Sequence, residues 1–98
     1  MAEQTSVRYT ARNAAAAEAN QRLIDDVFAE LAELAPDGLS YRVARSADRL
    51  SFEHVAIVED GPNPLLSLAS FQAFSSTVAG RVLEPPVVQT GAVVARYR

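Results

Sequence analysis

The sequence predicts an α+β domain, a four-stranded antiparallel sheet with two helices on one face. Three observations lead to it. Short runs alternate apolar and polar residues, two longer runs carry helical spacing, and their order is strand-helix-strand-strand-helix-strand. The 98 residues, 1–98, form one domain, because two would be too small to hold separate cores.

The first strand is read from "SVRYTAR", where Val7, Tyr9 and Ala11 face one way and Ser6, Arg8, Thr10 and Arg12 the other. Asn13 then offers an N-cap to "AAAAEANQRLIDDVFAELAEL". In that helix Leu23, Val27, Leu31 and Leu34 make an apolar stripe that Ile24 and Phe28 widen, with Asp25, Asp26, Glu30 and Glu33 on the far side. "APDG" stops it, since Pro36 cannot continue a helix and Gly38 accepts a left-handed turn.

Two alternating runs follow, "LSYRVAR" and "LSFEHVAIVE", joined by "SADR". They predict a hairpin. Setting Arg45 opposite Leu50 gives a trial register with Val43 facing Phe52, Arg42 facing Glu53 and Tyr41 facing His54. One face then gathers Leu39, Tyr41, Val43, Leu50, Phe52, His54, Ala56 and Val58 and takes the helices. The other holds Arg42 and Glu53 as a cross-strand ion pair, with Val55 and Ile57 also wanting cover.

After the turn residues "DGPNP", Asn63 caps a second helical region with Pro64 at its first position. Ser70 offers a fresh start within it, and Leu68, Phe71, Phe74, Ser75 and Val78 fall on one side. "EPP" breaks the chain, and "VVQTGAVVARYR", 87–98, is the last strand. Right-handed crossovers turn this order into a ferredoxin-like fold. One sheet face stays open and half apolar, and pairing two such faces would bury it.

Composition narrows the function. The net charge is −3, and all nine basic residues are arginines spread from Arg8 to Arg98, which argues against nucleic acid as a partner. No run approaches the roughly 20 apolar residues of a membrane span, and no secretion signal is seen. Cysteine is absent, so there is neither disulfide nor thiolate metal site, as a cytoplasmic protein would have it. The four glycines are isolated, so no phosphate loop exists.

The strand order, the length, the "VED" closing the third strand and the "FQAF" of the second helical region resemble the antibiotic biosynthesis monooxygenase-like group of the dimeric α+β barrel superfamily. The resemblance covers nearly the whole chain. It implies a homodimer whose sheets pack into a barrel, and a cofactor-free monooxygenase acting on aromatic or polyketide-like substrates. The haem-degrading and quinol-oxidising members use a tryptophan, which this chain lacks. Where many members place a histidine early in the second helical region, Leu65 stands here.

The candidate catalytic residues are His54, the single histidine, and Tyr41. A neutral imidazole in an apolar pocket could take a phenol proton, with Tyr41 orienting it. The structural reading, which the residue types favour, is a core or cavity-wall histidine held by Tyr41 or a backbone carbonyl. Tyr9, Phe52, Phe71 and Phe74 are the candidate walls of a pocket for a small aromatic ligand. The alternative is a non-catalytic dimeric ligand-binding or structural module of the same fold.

Overall fold

The computed structural model describes residues 1–97. The elements are β1 (Glu3–Thr10), α1 (Ala14–Leu34), β2 (Leu39–Arg45), β3 (Ser51–Val58), α2 (Ala69–Thr77) and β4 (Val87–Ala92). A 3-10 turn, Pro64–Ser67, leads into α2, and another, Val78–Gly80, leaves it. The sheet order is β2-β3-β1-β4, antiparallel at every junction. This is the ferredoxin-like arrangement that the order of elements predicts. No helix is long and apolar enough to cross a membrane among the described residues.

Local chemistry accounts for the element ends. Asn13 adopts an extended backbone and its Oδ1 accepts the Ala16 N–H at 2.8 Å, so α1 starts where the cap is. At the other end Ala35 takes the left-handed conformation, φ 43°, and its N–H bonds the Leu31 carbonyl. Asn63 caps the Pro64 turn by accepting the Leu65 N–H at 2.9 Å. Ser70 does not cap α2. Its N–H and its hydroxyl both donate to Glu30 Oε1, at 3.0 and 2.5 Å, so a carboxylate of α1 supplies the acceptor that the first turn of α2 needs. Glu30 therefore lies toward the neighbouring helix and not on the solvent side.

The core lies between helices and sheet. Ala16, Ala17, Ile24 and Val27 of α1 pack with Leu65, Leu68 and Phe74 against Tyr9, Phe52 and Ala56. The stripe on α1 is rotated toward its N-terminal half: Leu34 is exposed, and Asn20 is buried in line with Ala16, Ala17, Ile24 and Val27. Small alanines let the start of α1 approach the sheet, and the helix has grown away from it by Leu34.

The hairpin register differs from the trial register by two residues. Arg45 pairs with Phe52, Val43 with His54 and Tyr41 with Ala56. Ser46 continues the ladder, its N–H bonded to the Ser51 carbonyl at 2.9 Å. The turn is displaced accordingly, with Asp48 Oδ1 accepting the Leu50 N–H and Arg49 left-handed at φ 66°. A shift of two keeps every side chain on its face. It does break the expected Arg42–Glu53 pair: Arg42 faces Val55, and Glu53 instead faces Arg8, whose Nε donates to it at 2.9 Å. The last strand is also shorter than 87–98, ending at Ala92, and Arg98 lies outside the described residues.

Candidate functional site

His54 lies on β3 between two tyrosines that approach from opposite neighbouring strands. Tyr9 pairs with Phe52 across β1–β3, and Tyr41 pairs with Ala56 across β2–β3. Each is thus a diagonal neighbour of His54, a separation long aromatic side chains span. The Tyr9 hydroxyl meets His54 Nε2 at 2.6 Å, and the Tyr41 hydroxyl meets Nδ1 at 2.7 Å. Both ring nitrogens are engaged.

The chain of polar groups continues behind Tyr9. Asn20 Nδ2 donates to the Tyr9 hydroxyl at 2.7 Å, and Arg81 Nε donates to Asn20 Oδ1 at 2.9 Å. Arg81 also donates to Thr77 Oγ1 at 2.6 Å and to the Phe74 carbonyl at 3.0 Å. Its guanidinium lies 5.1 Å from the Phe74 ring centroid, a cation–π distance. Asn20 and His54 are 1% and 5% exposed, so the middle of the network is out of water while its ends at Tyr41 and Thr77 are not, and no buried side-chain polar atom lacks a partner among the described residues.

Burial sets the protonation states. It lowers the His54 pKa from 6.5 to about 4, so the imidazole is neutral at physiological pH. Burial likewise raises Tyr9 to about 12, with Asn20 and Arg81 pulling the other way, and raises Tyr41 further. Both phenols keep their protons.

Beside this network is a cavity of about 250 Å³. Tyr9, Tyr41, His54, Phe71 and Phe74 line it, with Leu65 and Val88 among the apolar walls. Five of the six residues expected from the sequence therefore meet at one cavity. Phe52 does not reach it. It stacks on Tyr9, with ring centroids 5.5 Å apart, and carries the Arg45 guanidinium 5.1 Å from its own centroid, so it seals the site from behind. Among the described residues no group of three or more His, Cys, Asp or Glu side chains is placed to hold a metal.

Sequence reasoning passed over Asn20 and Arg81. Asn20 did carry a signal, a polar residue at the spacing of the buried face. Arg81 carried none, because it lies in a turn between α2 and β4 and is 9% exposed only through the fold.

A ferredoxin-like α+β protein with a buried Tyr–His–Tyr chain facing an apolar cavity is the class that fold and site define. The solved structures it matches are of that fold. Rv0793 from Mycobacterium tuberculosis aligns over 100% of both chains with a TM-score of 0.77 and 17% identity. A candidate antibiotic biosynthesis monooxygenase from Nitrosomonas europaea aligns over 95% of this chain and 90% of its own, with a TM-score of 0.76 and 15% identity. A variant of SnoaB, a cofactor-independent oxygenase from Streptomyces nogalater, aligns over 97% and 95%, with a TM-score of 0.70 and 13% identity. At these identities the likeness establishes the fold. No protein-family model matches the chain, and no curated protein matches it in sequence.

Proposed function

We propose that this chain is a small-molecule protein of the cofactor-independent monooxygenase type, acting on an aromatic or polyketide-like substrate with molecular oxygen. The observation that carries the reading is the apolar cavity whose walls converge on Tyr41 and His54. The fold shared with an oxygenase that needs no cofactor supports it. At about 250 Å³ the cavity is below the roughly 300–1,000 Å³ of drug-sized sites, which suits one or two fused rings better than a tetracycle.

The reaction is the oxidation of an activated ring CH₂ to a carbonyl. One atom of O₂ enters the product, and the other leaves as water with both hydrogens. Carbon supplies the four electrons that oxygen takes up. The substrate binds as its phenolate or enolate, its proton left with solvent water, and the ionised ring is electron-rich toward oxygen, so the site's task is to hold the oxyanion. Tyr41 donates to that oxygen. His54 orients Tyr41 from behind, because neither ring nitrogen is free to touch the substrate. Phe71 and Phe74 grip the ring.

The proposal includes a homodimer and a cytoplasmic location. The sheet face turned away from the helices, where Ile57 is half-buried and Val87 exposed, supports the first, and the absence of cysteine suits the second. A second reading, a binding module without catalysis, is favoured by one observation: the imidazole that would serve as base has both nitrogens occupied. Oxygen uptake with 1,3-dihydroxynaphthalene, a two-ring phenol whose keto tautomer carries an activated ring CH₂, decides between them. Uptake that falls at least tenfold in Tyr41→Phe supports the oxygenase. Full uptake in that variant removes the mechanism, and probe binding without uptake by the unaltered protein establishes the binding module. Sedimentation gives the oligomeric state, and a monomer at micromolar concentration removes the dimer.

A further inference from the structure

The buried chain of polar groups has a direction. A guanidinium only donates, so Arg81 fixes which end of the Asn20 amide faces it: Oδ1 accepts from Arg81, and Nδ2 turns to Tyr9. The Tyr9 oxygen accepts that proton and gives its own to His54 Nε2. A ring nitrogen that accepts carries no hydrogen, so the neutral imidazole carries its hydrogen on Nδ1. That N–H donates to the Tyr41 oxygen. Tyr41 is left with its own proton, for which the described residues offer no other acceptor, in the wall of the cavity.

We infer that Asn20 and Arg81 are positioning residues that set the polarity of the site: they hold His54 as the Nδ1–H tautomer and make the Tyr41 hydroxyl a donor into the cavity. The cavity therefore selects a ligand with an acceptor oxygen, best a ketone, quinone or phenolate, over one that can offer only an N–H donor or no polar group. The ligand class rests on the cavity being the ligand site, as proposed above; the tautomer does not.

The single histidine makes the tautomer directly readable. In long-range proton–nitrogen correlation spectra of the ¹⁵N-labelled protein at pH 7 without ligand, Nδ1 is expected to be protonated and Nε2 bare. Asn20→Asp reverses the chain. Its carboxylate accepts from Arg81 and from Tyr9 together, Tyr9 must then accept from His54 Nε2–H, and Nδ1 must accept from Tyr41. The two ring-nitrogen signals exchange character, which a purely structural role for Asn20 would not produce. Arg81→Lys, which keeps a donor toward Asn20, retains the original tautomer. An Nε2–H imidazole in the unaltered protein overturns the inference whether or not any variant folds. So does a folded Asn20→Asp protein that keeps the original tautomer.

The ligand class is read with acetophenone and ethylbenzene, which share a shape and differ in an acceptor oxygen. The unaltered protein should bind acetophenone about tenfold more tightly, the value of one good hydrogen bond. Asn20→Asp should lose that preference. Equal binding of both probes overturns the donor role of Tyr41. Binding of neither, with the tautomer as stated, overturns the ligand site and leaves the positioning role standing.

Discussion

Lowering the pH from 7 to 5 should destabilise the fold through His54 alone, before the carboxylates contribute. Burial holds this imidazole at a pKa of about 4, while the unfolded chain binds its proton near the ordinary 6.5. The folded-state value is depressed, so the stability it represents is present above pH 6.5 and lost as pH falls toward 4. Across that window unfolding takes up one proton, a slope of about 1.4 kcal/mol per pH unit. About 2 kcal/mol is gone at pH 5 and about 3 kcal/mol below pH 4, where the contribution levels off. The structure gives the reason beyond desolvation. A protonated ring would donate from both nitrogens, and the Tyr9 hydroxyl proton would lose the Nε2 acceptor it now uses. The assay is urea unfolding at several pH values between 7 and 5, for the unaltered protein and for His54→Gln. Glu18, Glu30 and Asp48 all have lowered pKa values and contribute little above pH 5, and both proteins carry them. The slope should vanish in His54→Gln. An imidazole that titrates near 6.5 in the folded protein, or an unchanged slope in the variant, refutes the reasoning.

Three further outcomes follow from the same contacts. Tyr9→Phe removes the group between two buried partners, stranding Asn20 Nδ2 and His54 Nε2, and should lower unfolding free energy by about 2–4 kcal/mol in a denaturant titration. Leu65→Ala, at a residue 2% exposed and in the cavity wall, should cost about 2–5 kcal/mol and enlarge the cavity, so that two-ring ligands bind better relative to one-ring ligands. Ala35→Gly should raise the melting temperature, because a left-handed alanine at φ 43° carries strain of roughly 1–2 kcal/mol that glycine does not.

The helix ends were legible because capping is local: Asn13 and Asn63 each satisfy an N–H two or three residues ahead, and the sequence alone places them. The faces of the hairpin were legible for a similar reason, since strand alternation fixes them whatever the register. Thus Tyr41 and His54 were expected together and do meet, although the pairing that suggested it was off by two residues. The register itself depended on the turn, where Ser46 stays in the ladder and Asp48 closes the loop, a choice among competing short-range bonds that residue types do not settle. Phe52 shows the same limit at the site. Its face was foreseeable, but its neighbours, Tyr9 and Arg45, were set by how the strands line up.

The order and type of the elements, their caps, and the aromatic face that carries the single histidine can be read along the chain, because each follows from periodicity or a bond a few residues long. That Arg81, 61 residues from Asn20, reaches it, and that Tyr9 and Tyr41 take the two nitrogens of one ring, follows from the packed fold alone. Those contacts link four elements and the turn after α2, and a hydrogen bond between distant residues exists only where the whole core brings donor and acceptor within about 3 Å.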